Sequence, residues 1–236
     1  MLDEIRKTLT DLKDDSYAVS LQRFFKTGPG EYGEGDVFIG LRVPQLRTLA
    51  SRFEDLGIDD AVILLRSSIH EERLLALLIL VHTYKRGSDL NKRKIFDLYL
   101  ENTYFINNWD LVDSSAEQIV GAHVFDKSTR DLHRLARSTS LWERRIAVMA
   151  TFHFIKRGRF DETIAIIKLL LKDREDLIHK AAGWMLREIG KRNIQTEKAF
   201  LKDHYHIMPR TMLRYAIERF PEEERMKYLE GKVDQG

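Results

Sequence analysis

His82-Thr83-Tyr84-Lys85-Arg86-Gly87 returns as His153-Phe154-Ile155-Lys156-Arg157-Gly158, an H-x-x-K-R-G pattern displaced by 71 residues. The displacement is close to two periods of about 36, the length of one helix pair in a stacked repeat. A second ladder agrees with it. Arg145-Ile146-Ala147, Lys180-Ala181-Ala182 and Arg214-Tyr215-Ala216 share a basic-x-Ala pattern at steps of 35 and 34. Stepping back from Arg145 by 36 reaches Trp109, and by 36 again Arg73. Gly57, Gly87, Gly121, Gly158 and Gly190 follow at similar intervals, where helix stop signals are expected.

Apolar residues recur at i, i+3, i+4 and i+7 over Glu71–Lys85, Leu141–Lys156, Phe160–Lys172 and Asp176–Lys191, which predicts helices there. The four prolines are Pro29, Pro44, Pro209 and Pro221, so the chain from Gln45 to Met208 lacks the strongest helix breaker. Pro44 and Pro221 sit where a first-turn proline would open a helix, the second followed by Glu222-Glu223-Glu224 to suit the dipole. No alternating run is long enough to argue a sheet. The expected fold is all-α: a right-handed α-α superhelix of about six HEAT-like helix pairs with a concave basic groove. Residues 1–236 are expected to form a single domain, because a solenoid grows by stacking.

The chain has no cysteine, which removes disulfides and thiolate chemistry and suits a reducing compartment. Met1-Leu2-Asp3-Glu4-Ile5-Arg6 is not a signal-peptide opening, and the longest apolar run, Leu74–Val81, is too short to span a membrane. A soluble cytoplasmic protein is expected, with no membrane contact.

Net charge is only +2, from 39 Lys and Arg against 37 Asp and Glu, so the placement of charge matters more than its sum. Most charges will be solvated. Arg73, Arg145, Lys180 and Arg214, however, occupy equivalent repeat slots, and equivalent slots form a stripe along one surface of a solenoid. A basic concave stripe suits a polyanion, duplex DNA above all. Trp109 and Asp113 are four apart and so share a helix face, about 5–6 Å apart at Cβ. Lys180 and Trp184 repeat that spacing two slots later, with Arg145 in the slot between. Taken singly, each tryptophan reads as a core anchor and Asp113 as a cap or surface ion pair. Together they are expected to converge on the concave face, where two indoles and a carboxylate would bind a cation.

Other motifs carry less. Gly28, Gly30 and Gly33 satisfy G-x-G-x-x-G, yet no strand precedes them and Glu31, Glu34 and Asp36 would repel a pyrophosphate. The segment 26–37 is expected to be a connector, with Tyr32 as a possible nucleic-acid contact. His70-Glu71-Glu72-Arg73 begins like a zinc-protease motif but lacks the second histidine. His82 and His153 are expected to pack between helices, no metal site is expected, and Lys180 suits a phosphate contact better than a Schiff base.

Asn107-Asn108-Trp109-Asp110-Leu111-Val112-Asp113, Trp142-Glu143-Arg144-Arg145-Ile146-Ala147 and Lys180-Ala181-Ala182-Gly183-Trp184-Met185-Leu186-Arg187-Glu188 resemble the three signature blocks of the AlkD-like DNA alkylation repair family. Phe38-Ile39-Gly40-Leu41-Arg42-Val43-Pro44 and Pro209-Arg210-Thr211-Met212-Leu213-Arg214-Tyr215-Ala216 support the match, which covers nearly the whole chain. The resemblance implies a HEAT-like DNA glycosylase that removes cationic alkylated purines, N7-methylguanine and N3-methyladenine, from duplex DNA. By motif, Asp113 is the catalytic acid residue, Trp109 and Trp184 form the aromatic cleft, and Arg145, or its neighbour Arg144, contacts the DNA backbone. Lys180, Arg73 and Arg214 are further expected DNA contacts. No cofactor and no obligatory protein partner are implied, and a monomer is expected. Other members of the wider superfamily bind branched DNA without excising bases, so a non-catalytic DNA-structure binder stands as the alternative, as does a protein-binding adaptor.

Overall fold

A computed structural model describes residues 1–233, and every regular element among them is helical. One isolated bridge pairs Val37 with Ile69. The chain divides into two compact units, Met1–His123 and the remainder from Val124 onward.

The first unit contains α1 (Leu2–Asp11), α2 (Asp15–Phe24), α3 (Val43–Arg52), α4 (Ile58–Leu65), α5 (His70–Arg86), α6 (Asp89–Glu101) and α7 (Trp109–Asp113), then a π-helical turn, Glu117–Gly121. Pro44 lies in the first turn of α3, as its missing N–H allows. Helix α5 packs against α3, α4, α6 and α7, and every residue from His70 to Val81 is buried. A helix enclosed on all sides must be apolar on all sides, which accounts for Leu74–Val81. Each such leucine contributes about 1.5–3 kcal/mol by leaving water.

A short α8 (Ala122–Val124) leads to the second unit: α9 (Arg130–Ala136), α10 (Leu141–Ala150), α11 (Phe152–Ile155), α12 (Asp161–Leu170), α13 (Asp176–Gly190), α14 (Ile194–His204), α15 (Arg210–Ala216) and α16 (Glu222–Glu230). Helix α10 packs on α9 and α13, and α13 packs on α12, α14 and α15. The basic-x-Ala ladder therefore runs through α10, α13 and α15, which stack in that order as the second members of successive pairs. In the first unit the earlier slots, Arg73 and Trp109, likewise open two packed helices, α5 and α7. The chain is thus an all-helical repeat.

Close stacking has a residue-level cause at Gly183, where a Cβ would collide with the Met212 carbonyl and lie 2.6 Å from the Tyr215 Cβ. Only glycine lets α13 approach α15 this closely. Two sequence expectations fail locally. The helix expected over Leu141–Lys156 breaks at buried Thr151, whose hydroxyl donates to the Val148 carbonyl at 2.7 Å while its own N–H closes a tighter turn on the same oxygen. Gly57 starts α4 instead of ending a helix, and Gly121 lies inside the π-helical turn.

Candidate functional site

Helix α7 carries Trp109 and Asp113. Asn108 caps it, accepting the Trp109 N–H at Oδ1 (2.8 Å) and donating from Nδ2 to Asp36 (3.2 Å). The Trp109 indole is half-buried and stacks on Phe25, with centroids 5.1 Å apart and planes at 16°. Exposed Phe24 meets it edge-on at 5.9 Å. One turn along, Asp113 is also half-buried. Burial pushes the neighbouring Tyr99 phenol up, and the charge of Asp113 adds to that rise. A braced, partly exposed indole and a carboxylate thus share one short helix.

Beneath α7 lies a polar cluster that sequence reasoning missed. The four residues opening α5 are all buried, at 2% exposure for His70, 1% for Glu71, 5% for Glu72 and 4% for Arg73. Each has an assigned partner, as buried charge requires. His70 stands between two carboxylates, Nδ1 at 2.8 Å from Asp36 and Nε2 at 2.8 Å from Asp110. Arg73 donates to Asp36 and to the Ser67 carbonyl. Glu71 accepts the backbone N–H groups of Ile39, Gly40 and Leu41, the shortest at 2.8 Å, and Glu72 pairs with Arg6. Gly40 makes this nest possible: its φ is +89°, and a Cβ there would collide with the Asp14 carbonyl.

Burial pulls the His70 imidazole down, but the charges and hydrogen bonds of Asp110 and Asp36 outweigh it and lift its pKa from 6.5 to about 9. Burial likewise pushes Asp36 up, yet His70 and Arg73 hold it below the usual carboxylate range. At the centre of the cluster the cations His70 and Arg73 face the anions Asp36 and Asp110.

Two expectations need correcting here. Arg73 is no exposed member of a basic stripe, because its guanidinium is buried against Asp36 and the Ser67 carbonyl. The segment 26–37 is more than a connector, because its Asp36 is buried at the centre of the cluster. Its other acids satisfy the loop itself: Glu31 accepts the Gly28 N–H and Glu34 that of Gly30, which occupies amides a phosphate would need. The hydroxyl of Tyr32 turns back to the Phe24 carbonyl.

In the second unit, Trp184 is half-buried, its indole N–H donates to Glu188 at 3.3 Å, and Phe152 lies against it at 6.1 Å. Burial pushes Glu188 up, but Lys191 and Arg192 hold its carboxyl below the usual range. Lys156 and Arg192 lie over the Phe152 ring at 4.4 and 5.8 Å, so cations gather around this aromatic pair. Arg145 is buried, at 5% exposure, and donates to the Leu177 carbonyl in α13. Arg144 binds Asp173 at 2.6 Å and the carbonyls of Ser138 and Thr139, which ties two inter-helix loops together. Lys180 pairs with Asp176 at 2.8 Å, and Arg214 is exposed. The ladder slots thus grade from buried Arg73 and Arg145 through half-buried Lys180 to open Arg214.

His153 is half-buried, and burial with Arg157 and Lys156 nearby lowers its pKa to about 4, consistent with a neutral packing role. Among the described residues no cluster of His, Asp and Glu could hold a metal ion, and no helix is long and apolar enough to cross a membrane.

These geometries are those of an all-helical repeat protein. Residues 5–220 match the family model for the DNA alkylation repair enzyme, and the chain belongs to that family. Among solved structures, a "Predicted DNA alkylation repair enzyme from Enterococcus faecalis" is similar, with a TM-score of 0.68 at 17% identity over 89% of this chain and 97% of that one. AlkD2 from Streptococcus mutans aligns with a TM-score of 0.56 at 16% identity, over 88% of this chain and 98% of that one. The smu.31 structure from Streptococcus mutans UA159 gives 0.56 at 17% identity, over 88% and 98%. No curated protein matches the chain. At these identities the neighbours speak for the fold.

Proposed function

We propose that this chain is a monofunctional DNA glycosylase that hydrolyses the N-glycosidic bond of cationic alkylated purines, N7-methylguanine and N3-methyladenine, in duplex DNA. The observation that carries the proposal is α7 itself, which offers a half-exposed indole stacked on Phe25 and a half-exposed carboxylate one turn away. A purine alkylated at N7 or N3 already bears positive charge, so it leaves with the bonding electron pair and becomes neutral without being protonated. The sugar left behind is oxocarbenium-like. Asp113 stabilises that cation and orients the water whose oxygen bonds to C1′, while the water's proton passes to the carboxylate or to solvent. The indole of Trp109 adds cation–π attraction of about 0.5–2 kcal/mol. Trp184 supplies a second aromatic surface among cations. The family match spans both units, which supports their acting as one domain on one duplex. The reading takes the protein to be a cytoplasmic monomer that needs no cofactor.

The test is to incubate the protein with methylated duplex DNA and identify the bases set free. Release of N7-methylguanine and N3-methyladenine is expected. Tight binding of the duplex with no base released would assign the protein to the non-catalytic DNA binders instead.

The basic ladder gives a separate prediction. Arg214→Ala should leave the melting temperature unchanged and reduce the salt slope of duplex binding by about one unit, since one exposed phosphate contact is removed. Arg145→Ala should lower stability by about 1–3 kcal/mol, because it removes a buried guanidinium and its hydrogen bond to the Leu177 carbonyl. Thermal melts and salt-dependent binding of undamaged duplex separate the two. An Arg214→Ala slope equal to the wild type's would remove that residue from the DNA contacts.

A further inference from the structure

We propose that His70 is a positioning residue of the candidate site: its doubly hydrogen-bonded imidazolium clamps Asp36 of the 26–37 loop to Asp110 of α7, and so sets the placement of Trp109 and Asp113. The proposal rests on the assignment of Trp109 and Asp113 to the chemistry.

The geometry itself requires the protonated ring. Both nitrogens of His70 face carboxylate oxygens at 2.8 Å, and a neutral imidazole carries only one N–H. Only the imidazolium can donate to both. The charged groups facing the ring are Asp36 from the loop and Asp110 from α7, with Arg73 on the far oxygen of Asp36. If the proton leaves, Asp36 keeps Arg73 and Asn108, whereas the side chain of Asp110 keeps only the adjacent Leu111 N–H. Asp110 is therefore the partner released, and it lies directly between Trp109 and Leu111 in the helix that carries the site.

A second path runs through the rings. His70 stacks on Phe38 at 4.3 Å, Phe38 on Phe25 at 4.9 Å, and Phe25 on Trp109 at 5.1 Å. Loss of charge at one end of this stack removes cation–π attraction where the ring is most desolvated. Asn108 closes the loop of contacts by joining Asp36 to the N-terminus of α7. The imidazole is shifted from 6.5 to about 9, so the stability the clamp contributes is fully present below 6.5 and is lost, with the clamp itself, as pH rises through about 9.

The test uses the full chain labelled with fluorotryptophan, read by fluorine NMR from pH 7 to 10.5 alongside the His70 ring signals. The Trp109 resonance, assigned by Trp109→Phe, is expected to shift with the His70 midpoint near pH 9. The Trp142 and Trp184 resonances should stay in place. In folded His70→Gln the Trp109 shift should vanish, single-turnover excision should fall at least tenfold, and duplex affinity should stay within twofold. A Trp109 resonance that ignores the titration of His70, or a folded His70→Gln excising within twofold of wild type, overturns the proposal. Should His70→Gln fail to fold, the wild-type titration decides alone. The resonance shift needs no catalysis, so its presence in a protein that releases no base would sink the glycosylase assignment and leave the clamp standing.

Discussion

Asp113→Asn is expected to slow single-turnover release of N7-methylguanine at least a hundredfold, on the order of the few kcal/mol that a pre-placed charge contributes to a transition state. The substitution keeps the shape of the side chain and its place on α7 and removes only the charge. An amide cannot offset the positive charge building on the sugar and is a poor acceptor for the attacking water's proton. Binding of the duplex should persist or tighten slightly, because a carboxylate near DNA phosphates is repulsive until the sugar becomes cationic. Kinetics under enzyme excess with a single site-placed lesion measure the chemical step free of product release. Excision within threefold of the wild-type rate would place the chemistry elsewhere.

Much of the fold could be read in the sequence because the repeat is written in the chain itself. The H-x-x-K-R-G echo and the basic-x-Ala ladder mark equivalent slots, and α10, α13 and α15 stack in the order the ladder gives. Helix α5 was visible as a long apolar run, and α13 was placed to within one residue at its end. The fine breaks were not visible. Thr151 interrupts its helix through a hydroxyl bond to Val148, an outcome that depends on burial, which an apolar period does not report.

The candidate site residues divide along the same line. Trp109 and Asp113 share a short helix, as their i, i+4 spacing required. Exposure was another matter, since slot equivalence says which way a side chain starts and not what covers it. Arg73 begins in the same slot as Arg214 yet ends beside buried Asp36, because the 26–37 loop folds over the start of α5. The cluster of Asp36, His70 and Asp110 joins residues 34 and 40 positions apart, a separation no local pattern could supply. One signal was available: four polar residues opening a helix whose next stretch, Leu74–Val81, is apolar on every side. Charges in such a place must be buried, and buried charges need partners from distant segments.

That buried cluster also sharpens the expected lesion range. A neutral modified base such as hypoxanthine, uracil or 1,N6-ethenoadenine leaves readily only if a group donates a proton to it. Among the described residues, His70 and Glu197 are groups whose surroundings lift their pKa into the range that keeps them protonated at neutral pH, to about 9 and about 8. Neither can serve. His70 is sealed between two aspartates, and Glu197 is buried at 2% exposure, with burial itself the main cause of its shift. The proposed role of Asp113 in stabilising the cation needs its carboxylate form, and to donate a proton it would have to start neutral. Catalysis should then depend on positive charge already present in the lesion. Release of N7-methylguanine is expected to exceed release of hypoxanthine from otherwise identical duplexes by at least about a hundredfold, the span general acid catalysis ordinarily supplies. Parallel time courses, with freed bases resolved by chromatography, measure the ratio. Comparable rates for the two would require a proton donor at the lesion and would take from Asp113 its role as the charge on which selection rests.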